Sequence, residues 1–477
     1  MTTKGTRTKA AAKPARAAAG GDAGNGLHRV PGPPRWAVVG GGMLGLTLAH
    51  RLAGQGKDVT IIEAAPHLGG LASAWTIDGI TWDRHYHVIL ASDGHLRRVL
   101  AEIGLDGDMQ WATTRTGVLA DGRLMSLSNT IEMATFPVLN LVDKARLAAT
   151  ILHASRIEDG RPLESIPVAD WLTRWSGRRA FQRFWLPLLR SKLGDNYRQT
   201  SAAFIWATIR RLYAARRSGL KEERFGYVAG GYARVLERFA STLAAEGVHL
   251  SLGRPVARIF ADAGTPTVQF ADGARETFDR VVVTAAAPLA ASLCDGLSPD
   301  EQARLAGVKY QGIVCPSVLL KRPLGGFYVT NLLDPAPFTG VIEMSALVDR
   351  DRFLGGRHLV YLPRYVASDD PFLKVPDDQI RATFLEALFR MFPDLRADDV
   401  LAFKVSRVPY VMALPTLHYS DRLPSVRTSI PGVYTLNSAH IVNGTLNVNE
   451  TVQLAERGAR AFQGEWVGTD LPPLDGP

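Results

Sequence analysis

The stretch Arg35 to Ala72, RWAVVGGGMLGLTLAHRLAGQGKDVTIIEAAPHLGGLA, leaves the chain few folding options. Trp36 to Val39 is a short apolar run of the kind a strand buried on both faces uses. Gly40, Gly42 and Gly45 follow in G-x-G-x-x-G spacing. The first permits a tight turn, the second lets the backbone approach a pyrophosphate, and the third lets the next helix pack close to the strand. That helix is expected from about Met43 to Ala53, with the N–H groups at Met43 and Leu44 and the helix dipole directed at phosphate. Val59 to Ile62 reads as a second strand, and Glu63 closes it 18 residues after Gly45, where a carboxylate accepts hydrogen bonds from ribose hydroxyls. Glycine clusters alone also mark ordinary turns. Here strand, helix, second strand and acid agree, which favours a dinucleotide-holding βαβ unit over one without a ligand.

Pro66 to Ala72 adds a Gly-Gly pair just past the acid, and with it the chain resembles the FAD-binding flavoproteins of the amine oxidase, protoporphyrinogen oxidase and phytoene desaturase superfamily. The resemblance implies an α/β fold: a Rossmann-like FAD-binding domain with a β-meander, plus a mixed substrate domain under a helical cap. It implies that Gly69 and Gly70, with Leu71 beside them, lie against the pyrophosphate of FAD. Many relatives carry an arginine where His67 stands, so backbone contacts are expected here rather than a charged clamp. Val256 matches the position whose backbone contacts the adenine. In Gly432 to Phe462, a helix beginning at Asn449 and Glu450 is implied to aim its N-terminus at the flavin N1/O2 edge, where reduced flavin carries negative charge, with Asn447 and Val448 just before it as cofactor contacts. Asn437-Ser438 replaces the family's Gly-Asp, so Asn437 is expected to contact the cofactor without a charge. No cysteine lies in this segment, which points to noncovalent FAD.

A chain of 477 residues suggests two or three lobes. Residues 35–110, 226–300 and 400–477 read as the FAD-binding part, and 111–225 with 301–399 as the substrate-binding part with its cap. Residues 1–34 hold six basic side chains and one acid, so they carry +5 of the net charge of +9. Rich in Ala, Gly and Lys without apolar periodicity, this tail is expected to be disordered. A solvated extension is the favoured reading, with peripheral contact to anionic lipid left open and no specific nucleic acid expected. The longest apolar stretch, Val281 to Cys294, is short and contains Pro288, so no membrane-spanning helix is predicted. Two distant cysteines, Cys294 and Cys315, support neither a disulfide framework nor a metal site, and fit a reducing cytoplasm.

Beyond the glycines, the candidates for chemistry each carry a competing reading. Asp83, His85 and His87 follow the glycine pair, where the resemblance brings the chain near the flavin ring. The histidines either move a proton there or sit hydrogen-bonded and inert. Arg190 and Lys192 end an apolar run, as a cationic seat for a substrate acid or as a surface pair. Glu343 lies in an apolar strand, either buried with a perturbed pKa or at a strand edge facing water.

The function so implied is an FAD-dependent oxidoreductase, a dehydrogenase, desaturase or oxidase, passing hydride from a largely apolar small molecule to flavin N5. Its electron acceptor is not specified by the sequence. The alternative is a mutase similar to UDP-galactopyranose mutase, acting on a nucleotide sugar without net redox change. Arg210, Arg211, Arg216 and Arg217 are the side chains that would grip a diphosphate. A third reading is a flavin-binding protein without catalysis.

Overall fold

The computed structural model describes residues 32–217, 224–442, 445–463 and 471, so of the tail expected over residues 1–34 all but 32–34 lies outside the described residues. β1 (Arg35–Val39), α1 (Met43–Gly54) and β2 (Asp58–Ile62) form the unit read from the glycine spacing. β1 and β2 pair in parallel with Val39 beside Ile62, which requires a crossover, and α1 is that crossover. Leu46, Leu48 and Leu52 of α1 have no exposed surface. Each such burial contributes about 2 kcal/mol. Packing therefore holds the helix, because its N-cap Gly42 makes no side-chain bond.

β3 (Ala74–Ile77) and β4 (Ile80–Asp83) form a hairpin whose Asp78–Gly79 turn has φ of 46° and 78°, the left-handed pair that a two-residue turn needs. After α2 (Gly94–Glu102) and β5 (Met109–Thr113), a second hairpin of β6 (Thr116–Ala120) and β7 (Arg123–Ser126) turns at Asp121–Gly122. A helical stretch follows: α3 (Thr130–Thr135), α4 (Leu141–Arg156), α5 (Val168–Ser176), α6 (Arg178–Ala180), α7 (Leu186–Leu193) and α8 (Ala202–Arg217). The sequence predicts one continuous helix from Arg178 to Leu189. Instead a π-wound turn, Phe181–Trp185, separates α6 from α7. Pro187 offers no N–H to the carbonyl four residues back, which breaks the regular ladder there.

β8 (Arg224–Val228) pairs with β5, and α9 (Gly231–Ala245) leads to β9 (His249–Ser251). β10 (Val256–Asp262), β11 (Thr265–Phe270) and β12 (Arg275–Thr277) are the expected antiparallel meander, and β13 (Arg280–Val283) then inserts beside β1. α10 (Ala287–Leu293) and α11 (Pro299–Gly307) lead to β14 (Tyr310–Leu320), a strand buried along its whole length. The remainder runs β15 (Val329–Leu332), β16 (Gly340–Glu343), α12 (Arg350–Phe353), β17 (His358–Tyr361), β18 (Arg364–Ala367), α13 (Asp377–Met391), β19 (Val400–Ala413), β20 (Val433–Thr435) and α14 (Val448–Ala461).

Two sheets organise these elements. A five-stranded parallel sheet has the order β20-β13-β1-β2-β9. An eight-stranded sheet has the order β18-β14-β17-β16-β15-β6-β7, with β19 also on β14. Two expectations shift. A strand predicted over Gly326 to Val329 forms instead at Val329–Leu332, because the Gly325 and Gly326 N–H groups bond the Glu343 carboxylate rather than a ladder. Residues 400–413, grouped by the sequence with the FAD-binding part, form β19 and run antiparallel along β14 in the other sheet.

Candidate active site

The C-terminal ends of the parallel strands converge where an open α/β sheet places ligands. Gly40 leaves β1 with φ of 119°, and Thr284, just past β13, donates its hydroxyl to the Val39 carbonyl at 3.0 Å. A Cβ on Gly45 would run into the Gly40 carbonyl oxygen, so only glycine lets α1 start this close to β1. Met43 and Leu44 turn their side chains into the core, which leaves their backbone as the part available to a ligand. The second glycine pair folds back onto the first: Gly69 N–H donates to the Gly41 carbonyl at 2.8 Å, and Gly42 and Gly69 form a parallel bridge. Gly69 and Gly70 have φ of 118° and 54°, conformations that side chains other than glycine rarely adopt. Glu63 accepts from Gly41 N–H at 2.6 Å and Ala65 N–H at 2.8 Å, so its carboxylate sits at the edge of the glycine turn. Arg254 N–H reaches the Glu63 carbonyl, and Val256 opens β10 two residues later.

Asn437 stands at the end of β20, two strands from β1 and thus roughly 10 Å away across the sheet. It is fully buried. Its Oδ1 accepts from Ala439 N–H, while its Nδ2 has no protein partner. His440 accepts the Asn437 N–H at Nδ1, which assigns its other nitrogen as the donor to the Pro424 carbonyl. Asn447 is the N-cap of α14, accepting from Glu450 N–H at 3.1 Å, and Val448 is the first helical residue. Asn449, one position into the helix, accepts Leu96 N–H from α2. Glu450 is held above the usual carboxylate range by burial, against the opposing pull of Arg211 and His95.

The two early histidines separate in role. His85 Nδ1 lies 3.1 Å from the Leu71 carbonyl, so it carries the proton, and Nε2 accepts from the Ser406 hydroxyl at 3.0 Å. Both nitrogens are engaged, and the ring braces the glycine-pair loop. Burial pushes its pKa down to about 4. His87 packs its ring on Tyr232 at 4.9 Å, with Nδ1 unpartnered and 3.8 Å from Asp83 Oδ2. Burial takes His87 down to about 3 and Asp83 up to about 7, against a hydrogen bond from Tyr232 N–H that favours the carboxylate. Neither histidine changes charge near neutral pH.

Glu343 is buried and accepts from Leu324, Gly325 and Gly326 N–H at 3.1, 3.3 and 3.2 Å. The carboxylate clamps this loop, so it neither faces water nor projects freely into a pocket, although burial raises its pKa. Arg190 and Lys192 are exposed on α7, over the rings of Tyr197 and Tyr365. Arg210 donates to the Glu158 carbonyl and Arg211 pairs with Asp93 at 3.3 Å, while the side chains of Arg216 and Arg217 lie outside the described residues. Thr284, Ser406, Tyr232 and Asp93 escape sequence reading because each meets its partner only through the tertiary fold. A small pocket beside Ser438 is lined by Phe204, Met412, Tyr419, Ile441 and Leu446. Among the described residues no group of His, Cys, Asp and Glu side chains could hold a metal ion, and no helix is long and apolar enough to cross a membrane.

A glycine cradle at the sheet ends, a carboxylate at its rim, an unpartnered buried amide at Asn437 and a helix N-terminus at Asn447 fit a dinucleotide with an attached ring system. Residues 44–461 match the sequence profile of the family described as flavin containing amine oxidoreductase. Protoporphyrinogen oxidase 2 of Arabidopsis thaliana is 27% identical over 156 residues, 31% of this chain and 30% of that protein. A probable zeta-carotene desaturase of Synechococcus elongatus is 26% identical over 269 residues, 50% of this chain and 55% of that protein. The matches thus span from under a third to about half of these two relatives. Among solved structures, a putative protoporphyrinogen oxidase from Exiguobacterium sp. superposes with a TM-score of 0.71 at 19% identity, over 90% of this chain and 98% of that one. The chain belongs to the family of flavin-containing amine oxidoreductases, and FAD is its cofactor.

Proposed function

We propose that this protein is an FAD-dependent oxidoreductase that removes a hydride from a largely apolar small molecule. The five-stranded sheet would carry the cofactor and the eight-stranded sheet with its helical cap the substrate. Gly40, Gly42, Gly45, Gly69 and Gly70, with backbone at Met43, Leu44 and Leu71, would hold the pyrophosphate. Glu63 would take the ribose and Val256 the adenine, while Asn437, Asn447 and Val448 would take the flavin end. When bound, FAD supplies a two-electron acceptor that takes hydride from substrate.

The observation that carries the substrate class is similarity to a protoporphyrinogen oxidase and to a probable carotene desaturase, which points to a polycyclic or polyene substrate. The Asp83–His87 pair supports the same reading, since both groups are neutral between about pH 3 and about 7. Its role is positioning, because a histidine with so low a pKa is a weak base at neutral pH. The nucleotide-sugar mutase is disfavoured by Arg210 and Arg211, whose guanidinium groups are engaged by the Glu158 carbonyl and Asp93.

The test is anaerobic mixing of purified yellow protein with porphyrinogens, polyenes, amines and nucleotide sugars. Bleaching of the flavin by a porphyrinogen or polyene is expected. Turnover of a nucleotide sugar by pre-reduced protein with no acceptor present would overturn the proposal.

A further inference from the structure

A cleft of about 760 Å³ opens between α7 and β18, apart from the pocket beside Ser438. Its acids and its cations are engaged differently. Asp334 accepts the Asp121 and Gly122 N–H groups at 2.9 and 2.8 Å, Asp370 accepts Phe372 N–H at 2.8 Å, and Asp195 faces Arg198 at 4.0 Å. Arg190, by contrast, rests over the Tyr197 ring at 5.8 Å and makes no ion pair among the described residues. Arg364 donates to one carbonyl, that of Pro337, at 3.3 Å and stacks on Phe372 at 3.8 Å, again with no ion pair among the described residues. Half-burial holds its pKa below the usual arginine value against the attraction of Asp370, as expected of a guanidinium short of compensating charge. Gln311 also lines the cleft and is completely buried. Its Oε1 accepts from Asn196 at 3.4 Å, while its Nε2 donates to no protein group.

Two arginines without carboxylate partners and one unpartnered amide N–H thus line one cleft, whose other walls include Leu186, Pro187, Leu332 and Phe338. We propose that this cleft seats an oxyanion, carboxylate or phosphate, carried on an apolar body, with Arg190 and Arg364 gripping the anion and Gln311 donating from the floor. Bonds from charged donors to an oxyanion are the strong ones, and a guanidinium fork suits either anion. The seat is separate from the redox reading, because binding to it is measured without turnover.

The experiment is calorimetric titration of the full-length, flavin-loaded protein with decanoate, decyl phosphate and uncharged decanol. At least one anion is expected to bind tenfold or more tightly than decanol, and the tighter of the two identifies the headgroup. R190Q and R364Q should each weaken that anion about tenfold, the effect of one charge-assisted bond, and leave decanol unchanged. Because Arg190 is exposed, R190Q keeps the test interpretable if R364Q disturbs folding. Equal affinity for anions and decanol, or wild-type anion binding by R190Q, would overturn the proposal.

Discussion

A single methyl group tests the glycine cradle. Alanine at Gly45 would bring its Cβ onto the Gly40 carbonyl, backbone against backbone, where no side chain can turn aside. Overpacking of this kind costs about 1–3 kcal/mol. The G45A protein is expected to purify with little flavin and a lowered melting temperature, and wild-type flavin content would count against the cradle. Asp83 offers a test by pH. Its carboxyl is pushed up to about 7 from an ordinary 3.8, so the folded chain holds that proton more tightly than the unfolded one. The stability this brings is complete below about pH 4 and lost as pH rises through about 7. His85 and His87 act in the opposite sense, since each is held below its ordinary 6.5 and costs stability as pH falls beneath that value. Asparagine at 83 keeps an acceptor for Tyr232 N–H and removes only the first effect. The stability of D83N relative to wild type should therefore climb from pH 4 to 7 and then level off. Urea midpoints across that range check this, and a flat difference would show that Asp83 titrates normally.

Among elements, α14 depends on its cap. Replacing Asn447 by alanine removes the bond to Glu450 N–H and should cost about 1 kcal/mol, read as a lower denaturation midpoint, with N447S restoring most of it. This helix, like α1, β1 and β2, was legible in the sequence because asparagine caps, glycine spacing and apolar runs are local signals. β14 covers Tyr310 to Leu320, a stretch that reads as a strand from its β-branched and apolar residues although Gln311, Gly312, Pro316 and Ser317 interrupt them. β19 was not legible. Its side chains are mostly half-buried, Lys404, Arg407 and Pro409 interrupt its pattern, and it exists because β14 supplies a partner some ninety residues earlier in the chain. The site divides the same way. The glycines and Glu63 announce themselves by spacing, whereas the bracing of His85 by Ser406 joins positions 321 residues apart. Glu343 misled in another manner: its apolar neighbours signalled burial correctly, but not that three backbone N–H groups of the loop after β14, some 17–19 residues earlier, would claim the carboxylate.

For the whole molecule, cofactor and fold are linked. A ligand that binds only the folded chain stabilises it by about 4 kcal/mol at a thousandfold excess over its Kd. Stripping FAD should therefore lower the melting temperature, and adding it back should restore the transition in a concentration-dependent way. A melting temperature indifferent to FAD would be the contrary result. The order of the parallel sheet has a consequence in time. β1 and β2 leave the ribosome early, but β13 comes much later, and β20, which carries Leu436 and Asn437 into place, begins 371 residues after Ile62. At ordinary rates of synthesis that interval lasts roughly 20–75 s. For the first 218 residues of it, until Arg280, the β1 edge that β13 will cover has no native partner, and until β20 follows the glycine cradle lacks the wall that carries Asn437. Cofactor capture is therefore a late event in the life of each chain, and cells making this protein must shield a half-built sheet until its last strand arrives.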